Sequence, residues 1–236
     1  DGVYFCRRDG RNILLHRGLI NDRGQNQPML SVGFVDGDAV CGTIDGHLYK
    51  FDSKGMLEFS TKAHVGAVVS LYTVRLLMFE SEFSLFDFSF SPLLTYSHAH
   101  IKINPQVPGK GICSGGKDGV IKIWNSQLEC LREFSVASLE NPPLNAHIRS
   151  ICWNAKLARI LIGTRSSEIY EISDRTGKVV EHPKTKTSSL VSGHFENEMC
   201  GLAMHPSKEL VLTVGDDRTV CIFDLNDRIC VARKRL

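Results

Sequence analysis

Gly193 to Leu225 reads GHFENEMCGLAMHPSKELVLTVGDDRTVCIFDL. Leu210 to Val214 and Val220 to Phe223 are short apolar runs read as half-buried strands with a period of two, and a Gly-Asp-Asp turn separates them. The segment is a small residue plus His, an apolar strand, a strand ending in an acidic turn, and a strand ending in an aromatic-acid pair, Phe223-Asp224. Working outward, the same order begins at Ala63-His64 and again at Ala146-His147. The first of these closes with GICSGGKDGVIKIWN at Asn125, the second with RILIGTRSSEIYEIS at Ser173. An earlier unit, LSVGFVDGDAVCGTIDGHLYKFD from Leu30 to Asp52, lacks the leading His.

The turn positions Asp45, Asp118, Ser166 and Asp217 are 73, 48 and 51 residues apart. Two of these gaps approach the roughly 40–45 residues of a repeat whose four short strands make one propeller blade. The units resemble WD40-type blades, which implies an all-β β-propeller fold with about four consecutive blades of an incomplete ring. The divisions read from the pattern are 1–29 (a partial blade or linker, holding a hairpin of Val3 to Cys6 with Ile13 to Leu15), 30–62, 63–136, 137–185 and 186–236. Phe51, Trp124, Ile172 and Phe223 should occupy equivalent third strands. An unclosed ring should leave unpaired edges on the innermost strands at both ends. Arg233, Lys234 and Arg235 are read as the end of a strand leading into a next blade.

Composition supports an ordinary globular chain: 236 residues, 42% hydrophobic and 23% charged, with a formal net charge of +2. That balance gives no basis for wholesale nucleic-acid or anionic-membrane binding, so partner choice must come from local patches. The most apolar run, Val65 to Phe79, is interrupted by Arg75 and is shorter than the ~20 residues of a membrane span. Eight cysteines are scattered from Cys6 to Cys230 without a CxxC pair, and read as reduced core residues rather than a disulfide framework. With Asp1 first and no signal-like segment, the expectation is a cytoplasmic piece of something longer.

In WD repeats a His, a Ser/Thr on the second strand, the turn Asp and a Trp on the third strand form a buried hydrogen-bonded chain. The second unit matches all four positions, with His64, Ser114, Asp118 and Trp124. The fourth matches three, with His194, Thr213 and Asp217, while Phe223 has no N–H to continue the chain. In the third, Ser166 stands for Asp and Ile172 for Trp, so His147 is expected to lack the network. These Ser, His and Asp residues imitate a hydrolase triad, but a set that recurs from repeat to repeat has a structural meaning, where catalysis needs it once. No catalytic residue and no cofactor is assigned.

Gly111 to Asp118, GICSGGKD, falls one residue short of a phosphate-binding GxxxxGK[ST] loop. Its last position is a carboxylate, and no helix follows to stabilise an anion. His98 and His100 form an H-x-H pair without further ligands at metal spacing, so no metal site is assigned. Within the second unit, residues 76–110 separate two strands that should join by a short turn. Phe79, Phe83, Phe86, Phe88 and Phe90 crowd the first half of this insertion, and Pro92, Pro105 and Pro108 the second. It reads as sequence added by splicing, the alternative being a binding arm.

The phrases LVSGHFENEMCGLAMHPSKELVLTVGDDRTVCIFDL, ILIGTRSSEIYEI and SVGFVDGDAVCGTIDGHLYKF together resemble the echinoderm microtubule-associated protein-like family, whose tandem propellers bind tubulin. The resemblance extends over most of Leu30 to Leu236. It implies a non-catalytic scaffold, cytoplasmic and cytoskeleton-associated, with tubulin or microtubules as partner and a generic WD40 adaptor for another protein as the alternative. In such blades the residue before the turn Asp, and those following the His, reach one rim. Here these are Lys117, Arg165, Asp216, Arg149 and Glu196, three of them basic, which would suit an acidic partner surface.

Overall fold

The computed structural model describes residues 2–75, 110–155, 157–181 and 189–236. A hairpin, β1 (Tyr4–Asp9) and β2 (Asn12–Arg17), precedes four antiparallel four-stranded sheets. Blade 1 is β3 (Met29–Val35), β4 (Asp38–Thr43), β5 (His47–Phe51) and β6 (Leu57–Lys62). Blade 2 is β7 (Val68–Arg75), β8 (Lys110–Gly116), β9 (Val120–Trp124) and β10 (Cys130–Ser135). Blade 3 comprises β11 (Ile148–Asn154), β12 (Arg159–Thr164), β13 (Glu168–Ser173) and the two-residue β14 (Val191–Ser192). Blade 4 contains β15 (Met199–Met204), β16 (Leu210–Gly215), β17 (Thr219–Asp224) and β18 (Ile229–Arg235). Strands within each sheet follow chain order, which is the arrangement of propeller blades in an open, incomplete ring.

Equivalent residues fall in equivalent registers. Phe51 pairs with Ala39, Trp124 with Ile112, Ile172 with Ile160 and Phe223 with Val211, so all four sit on third strands facing the start of the second. At the turn that follows the second strand the chain needs a left-handed residue. Blades 1 and 2 supply Gly46 (φ 93°) and Gly119 (φ 75°), whereas blades 3 and 4 force Ser167 and Arg218 to φ 61°. At Gly46 the need is also steric: a Cβ would lie 2.2 Å from the His64 carbonyl oxygen, because this turn accepts the amides of Ala63 and His64.

The core lies between blades. Val35, Val40 and Leu48 of blade 1 pack on Val68, Ile112 and Trp124 of blade 2. Cys113, Ile121 and Ile123 on the other face of blade 2 pack on Ile148, Ile151, Trp153, Ile160 and Ile162 of blade 3. The outer face of blade 1 is covered in part by the hairpin, whose Phe5 meets Phe51 edge-on with ring centroids 6.0 Å apart.

Three expectations change. Each blade is a separate sheet, so β3, β7, β11 and β15 are all edge strands, and unpaired edges do not single out the two ends. What the open ring leaves bare at its first blade is a face, with Val32 and Phe34 in solvent. Second, β14 pairs with β13 although it falls beyond residue 185, inside the segment read as the start of the fourth unit. Third, only Cys41, Cys113 and Cys221 are buried; Cys6, Cys130, Cys152 and Cys200 are exposed, and all eight are free thiols. Arg233 to Arg235 close a strand as expected: they end β18, paired with β17. The insertion read over 76–110 lies outside the described residues except for Lys110, which opens β8, and His98 and His100 lie outside them altogether.

Candidate functional site

Each blade holds a polar cluster at the turn between its second and third strands. In blade 2, the indole of Trp124 can only donate, and it donates to Ser114 Oγ at 2.8 Å. The Ser114 hydroxyl therefore turns its proton to His64 Nε2, also 2.8 Å away. That leaves His64 Nδ1 to donate to Asp118 at 3.1 Å. Asp118 also accepts the amides of Val65 and Val120, at 3.0 and 3.1 Å. Burial pushes its carboxyl pKa up, but the hydrogen bond from His64 and these two amides outweigh it and hold the group below the usual carboxylate range.

Blade 4 repeats the arrangement without the indole. His194 Nδ1 lies 3.0 Å from Asp217 and Nε2 lies 2.9 Å from Thr213 Oγ1. Thr219 adds its hydroxyl to Asp217 at 2.7 Å and its amide at 3.0 Å. Here too burial raises the Asp217 carboxyl, and the donors His194 and Thr219 bring it below its ordinary value.

Blades 1 and 3, which lack such an incoming His, recruit the first residue of the third strand instead. In blade 1, Thr43 Oγ1 donates to Asp45 at 2.6 Å and Gln27 Oε1 accepts the Asp45 amide at 3.2 Å. His47 Nδ1 sits 3.0 Å from the same carboxylate, close enough for an ion pair but poorly directed for a hydrogen bond. Burial tends to raise the Asp45 pKa; Thr43, His47 and Gln27 together lower it to about 2. In blade 3, a buried acid at that position replaces the missing turn acid. Glu168 takes hydrogen bonds from Thr164 Oγ1, at 2.5 Å, and from Ser166, and is ion-paired with Arg233 of blade 4. Arg233 also donates to Ser192 Oγ at 3.2 Å and to the Gly193 carbonyl at 3.4 Å. His147 contributes only its backbone, its amide donating to Asn145 at 3.1 Å. The sequence leaves the third blade empty of a network because the residues that build it, Glu168 and Arg233, occupy none of the repeat's polar positions and lie 65 residues apart.

Ser114, His64 and Asp118 have the connectivity of a nucleophilic triad, yet the geometry works against that chemistry. Ser114 is fully buried, and the indole of Trp124 occupies the lone pair an attacking oxygen would use. Gly111 to Asp118 is not a phosphate loop either: it runs along β8 into the turn, and its terminal carboxylate is committed to His64.

The five expected rim residues are exposed, and three of them, Lys117, Arg165 and Asp216, occupy matching positions. Lys117, Arg165 and Asp216 each donate their amide to the carbonyl just before or at the start of the first strand, on Ala67, His147 and Glu198. Arg149 lies in β11 and Glu196 in the loop before β15. Cys200 donates its thiol to Asp216 at 2.9 Å, and that hydrogen bond lowers the Asp216 pKa.

Four four-stranded sheets in chain order, with polar clusters at the equivalent turn of each, form an open, incomplete β-propeller. The WD domain, G-beta repeat family matches residues 86–125 and 185–224, the first match reaching back through residues outside the described ones. Over 221 residues, 92% of its length, the chain is 25% identical to human echinoderm microtubule-associated protein-like 2. It is 23% identical over 226 residues to the 77 kDa echinoderm microtubule-associated protein of Lytechinus variegatus, and 33% identical over 116 residues to human echinoderm microtubule-associated protein-like 4. The chain spans 27% of the first two relatives' length and 10% of the third's. The WD40 β-propeller domain of Doa1 superposes with a TM-score of 0.45 and 16% identity, covering 96% of this chain and 58% of that one. Among the described residues no helix is long and apolar enough to cross a membrane.

Proposed function

We propose that this chain is a non-catalytic scaffold that associates with tubulin or microtubules through the rim of its blades, and so works on the cytoskeleton in the cytoplasm. The observation that carries the reading is the similarity over nearly the whole chain to proteins named as microtubule-associated. The geometry supports the scaffold half of it. The polar side chains that could do chemistry are spent inside the blades, and the exposed rim of blades 2 and 3 carries Lys117, Arg149 and Arg165. A cationic rim accelerates encounter with an acidic surface, and salt screens that attraction. Co-sedimentation with polymerised tubulin tests the reading: the chain should pellet at low ionic strength and progressively less as salt rises. Failure to pellet at low salt, or pelleting indifferent to salt, would contradict it.

A further inference from the structure

The first strand of every blade carries a β-bulge near its start. The register shifts between Met29 and Ser31, Val68 and Ser70, Ile148 and Ser150, and Met199 and Gly201. The extra residue in each case, Leu30, Val69, Arg149 or Cys200, leaves the ladder, which is how bulges re-aim a side chain. Beside it stands the rim residue of the adjoining turn, and in blade 4 the two positions touch, as the Cys200–Asp216 hydrogen bond shows. The same register in blade 3 sets Arg149 beside Arg165. Both are exposed, and among the described residues neither has a carboxylate partner, whereas Lys50, Lys122, Arg159 and Arg233 all do. Two like charges held side by side by the backbone are unfavourable until an anion joins them.

We propose that Arg149 and Arg165 form a two-arginine clamp for the carboxylates of an acidic peptide segment, with Lys117 on blade 2 extending the site by one more charge. The inference rests on the scaffold reading above and names the chemistry its rim selects. Guanidinium forks match carboxylates bidentately, as a lysine cannot. A run of carboxylates fits cations spread over two blades better than a single compact phosphate does. The run is bounded on both sides: Glu196, Glu198 and Asp216 on blade 4 repel its continuation, and on blade 1 the equivalent pair is apolar, Leu30 with Ile44.

Fluorescence anisotropy with a labelled octaglutamate peptide, an octaglutamine control and the full chain tests the clamp. The glutamate peptide should bind at low salt and the glutamine peptide should not. The double substitution Arg149→Gln, Arg165→Gln should weaken binding about tenfold or more, Lys117→Gln less, and Arg165→Lys less than Arg165→Gln. The melting temperature of the double variant should hold or rise, since a repulsion has been removed. Unchanged affinity in a folded double variant, or equal binding of both peptides, would overturn the clamp. Inorganic phosphate competing at far lower concentration than glutamate peptide would overturn the acidic-peptide assignment. Microtubule pelleting in parallel separates the two ideas: clamp-dependent peptide binding without pelleting defeats only the microtubule reading, and pelleting that the double variant leaves intact defeats only the clamp.

Discussion

The interface between blades 2 and 3 and that between blades 3 and 4 join the same kind of blade by different means. In the first, buried apolar side chains from both sheets interdigitate, and Ile151 on the inner strand is only 8% exposed. Leu202 holds the equivalent inner-strand position in blade 4 and is 67% exposed, much like Val32 at 58% in blade 1, the first blade among the described residues. Blade 4 instead meets blade 3 at the outer strands, where β18 lies against β14 and Arg233 reaches buried Glu168. The His–Thr–Asp cluster of blade 4 is nevertheless as well formed as that of blade 2. The turn cluster therefore organises a blade from within, and seating one blade on the next is a separate matter of facing side chains. Where the outer strand is as short as β14, a buried ion pair takes over.

The largest effect should come from breaking that pair on one side. Arg233→Met leaves Glu168 buried without a counter-charge, and such losses cost about 3–5 kcal/mol. Replacing both, Glu168→Leu with Arg233→Met, should recover most of it, as urea denaturation would show. Next comes the apolar interface: Ile162→Ala, fully buried between blades 2 and 3, should cost about 2–4 kcal/mol, while Leu202→Ala should change stability by less than about 0.5 kcal/mol. Equal effects of these two would erase the contrast drawn above.

Within a blade the stakes are smaller. Asp118→Ala removes the partner of buried His64 and should cost about 1–3 kcal/mol. The same carboxylate makes stability depend on pH with a definite sign. Its folded pKa is depressed, as are those of Asp217 and Asp45, so the stabilisation is present above the ordinary carboxylate range near 4. It is lost as pH falls through the folded values, toward about 2 for Asp45. Urea midpoints measured from pH 6 to pH 2 should therefore fall less steeply for Asp118→Asn than for the native chain. Smallest of all, Arg218→Gly relieves a left-handed non-glycine residue and should add at most about 1 kcal/mol, read as a small rise in melting temperature.

The strands were legible because alternation and turn residues are local. Leu210 to Val214 and Val220 to Phe223 declare themselves within a few residues, and both lie in strands of one sheet. The hydrogen-bonded positions of blades 2 and 4 could be read off the repeat, since Ser114–Asp118 and Thr213–Asp217 keep the same short spacing and each follows a His at the head of its unit, although that His lies 50 residues before the hydroxyl in one and 19 in the other. Blade 3 could not. Once Ser166 and Ile172 replace the repeat's polar residues, nothing local says that Glu168 will be buried, because its counter-charge arrives from the last strand of the next blade, 65 residues later in the chain. The bulges escaped for the opposite reason: each lies one residue into its strand, so the alternation after it runs undisturbed, yet the extra residue is what takes Arg149 out of the ladder.

Amide hydrogen exchange separates the two kinds of interface, because it reports the opening of each blade separately. In the native chain β15 to β18 should be less protected than β8, β9, β12 and β13, and Arg233→Met should raise exchange in β14 and β18 while leaving the interface between blades 2 and 3 unchanged. Uniform protection across all four blades, or a rise in exchange spread evenly through them on breaking the Glu168–Arg233 pair, would contradict the account.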